Sequence, residues 1–533
     1  MTEEKIPEYA RVRSWELALV AVAALLALLL GFSRLGAPSL WHDEAVQVLV
    51  AKNIVETGHA VLPSGRPHPV APVFNAILAA FIALFGDAES VVRAPSVLFG
   101  ALNVALVYVL TRPLLGRATA LLAAFALALS PWSLAWSRQA RFYAAQQTFY
   151  LLTLCAAWRM MERRELRAVI TYGIAALIAY LLGVGTSLHS VLFLGPVAAY
   201  ALALKWGQSP FIWPCTAKRR DTHTQVHHQL NGDCPYLGGI ALMTGIVGAL
   251  TVISYWLTLP EHDATVVFGA ARPEIVVGDP EQTSVLYYFS WLRRNLSSGF
   301  LLLAMVGFVL MLAREGRRGA YAALAFWVPI LALSFVIAYR RHRFMYFAFP
   351  IYTMAFSYGL VMLIRFLPRA RRSWLHALLA AMIVLFVVRL SFSAAALVGD
   401  SIEVARGGDT TLATRHPQYR KPALYVRDHR HEDTVVIADT YVTALYYLGR
   451  VDHWYPSKYL PWEAWEVGSE GLKTTDDLQA YMAEYPKGYF LAEWYRFQFF
   501  DEQKDDRAWV NAHMRRIEEA CSEDVTVYAW GLK

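Results

Sequence analysis

Asp43 and Glu44 stand side by side in the run Leu40-Trp41-His42-Asp43-Glu44-Ala45, just after the first long apolar stretch of the chain. Carboxylates beside a bilayer are costly to desolvate and persist where chemistry, ion binding or packing uses them. On an outward-facing loop the pair would mark a membrane-surface active site. The competing use is capping of the amphipathic stretch Ala45 to Val55, which accounts for one acid better than for two. Three groups of arginines abut other apolar runs: Arg138 with Arg141, Arg293 with Arg294, and Arg340 with Arg341 and Arg343. A guanidinium is permanently charged and presents a planar fork of donors, which suits a phosphate held at headgroup level. A lipid-linked phosphate is therefore the expected ligand. Snorkelling to headgroups, or pairing with a nearby carboxylate, is the alternative for each arginine.

These residues need elements to carry them. The chain has 533 residues, 56% hydrophobic and only 17% charged, with a mean hydropathy of +0.35. That is more apolar than a single soluble domain can bury, and it implies a polytopic α-helical membrane protein. Runs long enough to span centre near residues 24, 102, 126, 152, 176, 196, 247, 304, 329, 354 and 383, giving about eleven transmembrane helices. Val70 to Phe85 is borderline. If it stays on one face, the basic loops at Arg112 and Arg117, Arg159 to Arg167, Lys205 to Arg220, Arg314 to Arg318 and Arg365 to Arg372 all lie with the N-terminus in the cytoplasm. That obeys the positive-inside rule, so Val70 to Phe85 is expected to be a re-entrant or interfacial helix. Asp43 and Glu44 precede it and face outward either way.

The same reading gives a membrane module over residues 1–395, whose external loop 33–91 carries the acid pair, and an external or periplasmic domain over 396–533. There short β-type runs at Thr434 to Ala438, Tyr489 to Ala492 and Val525 to Ala529 alternate with helical patterns at Thr475 to Glu484 and Asp505 to Ala520. A small α/β domain is predicted. The run 16–32 lacks a small-x-small cleavage site and reads as a retained span. The net charge of +7 sits in short loops, which marks topology rather than a nucleic-acid partner. No nucleotide-binding fingerprint occurs. Cys215, His223, His227, His228 and Cys234 match no common zinc spacing. No metal ligands are assigned, and a divalent cation stays open. Loop Leu259 to Asn295 reads equally as a lid or as an ordinary connection.

The chain resembles the GT-C membrane glycosyltransferases of the family 39 and protein O-mannosyltransferase-like branch, relatives of the lipid A aminoarabinose transferases. The resemblance rests on Asp43-Glu44; Arg93-Ala94-Pro95-Ser96 with Phe99-Gly100; Leu115-Gly116-Arg117; Ser130-Pro131; Ser137-Arg138-Gln139-Ala140-Arg141-Phe142-Tyr143; and Arg343 to Pro350. It implies inverting transfer of a sugar from a polyprenyl-phosphate donor to a glycan, lipid or protein acceptor at the external face. Asp43 is then the general base on an acceptor hydroxyl, and Glu44 orients the site or the loop. Arg138, Arg141, Tyr143, Arg341 and Arg343 are the donor-phosphate residues, because a phosphate leaving group needs charge stabilisation more than a proton. His68-Pro69-Val70-Ala71-Pro72 splits an element that in the family runs basic-Pro-Pro-Leu. The alternative from another class is a multi-pass lipid or polysaccharide transporter, which moves its substrate without forming a glycosidic bond.

Overall fold

In a computed structural model of the chain, the residues described are 12–206, 284–296, 298–337, 340–366, 377–378, 381–382, 417–459, 466–468, 471–494 and 503–532. The Cys215 to Cys234 loop, most of loop 259–295, and the runs centred near 247 and 383 lie outside them. The described helices begin α1 (Ser14–Phe32), α2 (His42–Thr57), α3 (Pro72–Phe85), α4 (Glu89–Leu115), α5 (Arg117–Ala128), α6 (Pro131–Ser137), α7 (Tyr143–Glu162), α8 (Leu166–Val184) and α9 (Leu194–Trp206). They continue with α10 (Tyr287–Leu296), α11 (Ser298–Arg314), α12 (Arg317–Phe335) and α13 (Phe349–Phe366). Among the described residues five helices are long and apolar enough to cross a membrane, or six if α5 and α6, bent by 58°, form one broken span. α3 has 14 residues, short of the roughly 20 that a span needs. Its ends are sharp because Pro72 opens it and Gly86, at φ 84°, closes it.

Two compact units emerge: Met1–Ala27, Phe99–Ser130 and Tyr143–Val398 in the first, and Leu28–Leu98, Pro131–Phe142 and Gly399–Lys533 in the second. Within the first, α7 packs on α8, α9 on α12, and α13 on both α5 and α11. The α11–α13 contact is backbone-close: a Cβ on Gly307 would overlap the carbonyl of Ala355, and one on Gly359 would sit 2.5 Å from the carbonyl of Leu303. Gly307→Leu is therefore expected to destabilise the bundle by about 1–3 kcal/mol through overpacking, read as an earlier thermal transition in detergent. The buried Glu16 of this unit accepts from Tyr108 Oη at 2.7 Å and Arg112 Nε at 2.8 Å. A sealed carboxylate needs such partners.

In the second unit α2 packs on α3, and the C-terminal segment adds α14 (Arg420–His429), β1 (Val435–Ala438), α15 (Tyr441–Leu448), β2 (His453–Trp454), α16 (Thr475–Glu484), β3 (Gly488–Ala492), α17 (Gln503–His513), β4 (Arg515–Arg516) and β5 (Thr526–Trp530). The sheet order is β2-β1-β3-β5-β4. β1 is parallel to β2 and β3, and β5 antiparallel to β3 and β4. Every residue of β1 and β3 is buried, as expected when helices cover both faces. Alternation sorts Val436, Tyr489, Leu491, Val527 and Ala529 onto the face with Ala423, Val426 and Ala444. Ile437, Phe490, Tyr528 and Trp530 go to the face with Leu478 and Val510. α16 starts on a capping box, with Asp477 N donating to Thr474 Oγ1 at 3.1 Å and Thr474 N donating to Asp477 Oδ2 at 2.9 Å. The helical pattern read from Asp505 to Ala520 stops at His513, because β4 comes next and pairs with β5.

Candidate active site

The first turn of α2 carries His42, Asp43 and Glu44, and the fold gives the two acids opposite surroundings. Glu44 is fully buried. Its Oε1 accepts from Arg93 Nε at 2.8 Å and from the Ala140 amide at 2.6 Å, and its Oε2 from Arg93 Nη2 at 2.7 Å. The amide of Trp41 also reaches Oε2, at 3.4 Å. Arg93, on α4 and 1% exposed, donates its remaining hydrogens to the carbonyls of Leu35, Pro38 and Ser39 at 3.0, 2.8 and 3.0 Å. All donors of the guanidinium fork are thus engaged. Glu44 therefore ties together the loop before α2, α4 and the segment after α6.

Asp43 keeps a side chain 24% exposed, with Oδ2 at 3.3 Å from Arg141 Nη2. Arg141 Nη1 donates to the carbonyl of Asp43 at 2.9 Å and to Gln47 Oε1 at 3.3 Å, and its guanidinium lies over the ring of Phe142. Gln47 in turn donates to Asn75, whose own amide donates to the carbonyl of Val70 at 2.9 Å. Arg141 is therefore aimed by a chain of side-chain contacts rooted in α2 and α3. Arg138 is turned elsewhere: Nη1 donates to the carbonyls of Leu30, Gly31 and Ser33 at 2.9, 2.8 and 2.7 Å. Those carbonyls end α1, where oxygens lack intrahelical partners and cations are favoured.

His68 lies in the loop between α2 and α3. Burial holds its pKa down to about 4, with Arg141 pushing the same way and Glu466 opposing. In the unfolded chain a histidine protonates near 6.5, so between that pH and about 4 the unfolded state binds more protons. Stability then falls as pH drops through this window and levels off below it. We expect His68→Gln to flatten the pH dependence of the thermal transition between pH 6.5 and pH 4 relative to the wild type.

The remaining expected residues belong to the first unit. Tyr143 opens α7 and is buried. Arg341 and Arg343 flank the start of the short helix His342–Ala348, where His342 stacks on Trp291 with ring centroids 4.9 Å apart and Phe344 stacks on His189 at 4.3 Å. Arg340 donates from Nε to the carbonyl of Ser334 at 3.0 Å. Arg293 and Arg294 are exposed on the last turn of α10. Among the described residues no group of three or more His, Cys, Asp or Glu could hold a metal ion.

A family model described as dolichyl-phosphate-mannose-protein mannosyltransferase matches residues 67–217. No curated protein matches the chain. Among solved structures, ArnT from Cupriavidus metallidurans bound to undecaprenyl phosphate superposes with a TM-score of 0.61 over 97% of this chain and 98% of its own, at 13% identity. The oligosaccharyltransferase AglB from Archaeoglobus fulgidus, in complex with an inhibitory peptide and a dolichol-phosphate, gives 0.56 over 90% of this chain and 69% of its own, at 12% identity. The chain has the GT-C fold. Its described apolar helices, five of them long enough to cross a membrane, fit a membrane protein.

Several residues that surround the Asp43–Glu44 pair carry little signal in the sequence. Arg93 stood only within a motif, and Gln47, Asn75 and Glu466 carried no signal at all. His42 was part of the acid run, yet its partner is remote: Nε2 lies 3.0 Å from Glu466 Oε2.

Proposed function

We propose that the protein is an inverting glycosyltransferase that moves a sugar from a polyprenyl-phosphate donor to an acceptor hydroxyl at the external membrane surface. The observation that carries this reading is the split between adjacent acids. Glu44 is sealed in a cage of donors, while the Asp43 side chain is 24% exposed with its carboxylate 3.3 Å from Arg141. Such a division leaves the solvent-facing acid to exchange a proton and the buried one to fix its position.

In this reading Asp43 accepts the proton of the acceptor hydroxyl as that oxygen attacks the anomeric carbon. The carbon–oxygen bond to phosphate breaks on the opposite face, and polyprenyl phosphate leaves as an anion. Arg141 supplies positive charge beside Asp43, and Tyr143, Arg341 and Arg343 are assigned to the donor phosphate on the strength of the family resemblance. Arg138, bound to the end of α1, serves by anchoring the segment that carries Arg141. The acceptor is a glycan, lipid or protein, and the C-terminal segment is assigned to the same face as Asp43.

The test is a reconstituted reaction. The purified protein in liposomes is offered a panel of polyprenyl-phosphate sugars and an envelope extract as acceptor source, and products are followed by mass spectrometry. Stoichiometric release of polyprenyl phosphate with a gain of one sugar on an acceptor is expected. Transfer of lipid-linked sugar across the bilayer with the glycosidic bond unchanged would replace the enzyme by a transporter.

A further inference from the structure

In the sheet of the second unit β1 lies between β2 and β3, so the chain leaves its first strand to one side and returns on the other. Open α/β sheets of this kind bind their ligands outside the carboxyl ends of the strands at such a switch point. Here that end is closed from within. Tyr419 Oη donates to Asp439, the residue after β1, and the amide of Glu493, the residue after β3, donates to Asp439 Oδ2 at 2.5 Å.

Helix α15, the next element after β1, lies on α2. Val442 packs with Ala45, Val46, Val50 and Leu62. The Leu40 amide donates to Tyr447 Oη at 2.8 Å, Tyr447 Oη donates to Glu89 at 3.1 Å, and Tyr446 Oη donates to the carbonyl of Asp87 at 2.6 Å. Glu466 adds a second grip, with its carboxylate 3.0 Å from His42 Nε2 and its carbonyl accepting from the Ser64 amide at 3.1 Å. Leu40 and His42 bracket the start of the helix whose next residue is Asp43.

Resting on the reading of Asp43 as base, we propose that Tyr447 and Glu466 are positioning residues, and that the α/β domain takes as its ligand the chain's own helix α2. Neither side chain touches the reacting atoms. Their role is to fix the first turn of α2 so that the Asp43 carboxylate keeps one aim, since a small misplacement of a base costs rate rather than affinity.

The experiment uses the full chain in detergent or liposomes with Tyr447→Phe and Glu466→Gln, which retain most of the packing volume. Hydrogen exchange is followed at the amides of residues 41–46, with those of α7 as an internal reference. We expect exchange at 41–46 to rise about tenfold in each variant while α7 is unchanged. We also expect kcat to fall by about tenfold with donor KM unaltered, the scale of one lost polar contact, the Leu40–Tyr447 hydrogen bond in one variant and the His42–Glu466 ion pair in the other. Glu466→Asp should recover part of the rate. Unchanged exchange at 41–46 overturns the proposal, and so does raised exchange with wild-type kcat. Failure of the base reading is a separate outcome, seen as normal transfer by Asp43→Asn whatever the exchange shows.

Discussion

Asp43→Asn is expected to lower transfer by about 10²–10⁴-fold, the range for loss of a positioned general base, while binding of polyprenyl phosphate stays close to wild type. Asparagine keeps the volume and an acceptor oxygen for Arg141, and the side chain it replaces is 24% exposed, so the helix start should survive. The discriminating comparison is Glu44→Gln in the same assay. That change alters a buried, multiply bonded carboxylate, and its loss of activity should track loss of folded protein. Near-normal turnover by Asp43→Asn at normal protein level would remove Asp43 from the chemistry.

The second large effect is on folding. Arg93→Met leaves Glu44 buried with a charge and without its guanidinium, and strips three carbonyls of their donor. Breaking one partner of a buried pair costs about 3–5 kcal/mol, so the variant should accumulate poorly and melt early in detergent. Replacing both partners is milder than replacing one, because no lone buried charge remains. The double change Arg93→Met with Glu44→Gln should therefore melt above Arg93→Met alone. A single variant that melts with the wild type would show that the cage does not hold the loop.

Much of the architecture was legible because it is periodic. The long apolar runs mark α1, α4 and α8, and the strands around Val436, Phe490 and Val527 are β-branched and aromatic runs of ordinary length. β2 and β4 have two residues each, too few for alternation to register. The acid pair stood out by adjacency alone. The different surroundings of its members could not be read, because Glu44 is fixed by Arg93 and by the Ala140 amide, 49 and 96 residues away. No local pattern encodes such contacts. Arg138 shows the same limit, since a basic residue beside an apolar run looks alike whether it faces a phosphate or the carbonyl end of a helix in another part of the chain.

The contacts around α2 also fix an order of manufacture. The hydrogen bonds named above for the Arg93 cage come from residues up to Ala140, so they can form while the chain is still on the ribosome. The grip on Leu40 comes from Tyr447, 407 residues later. Through nearly all of synthesis the apolar flank of α2, with Ala45, Val46 and Val50, waits for a cover that has not been translated. A chain that stops early keeps its acid helix formed but bare, and so presents the exposed apolar surface by which quality-control machinery sorts unfinished proteins.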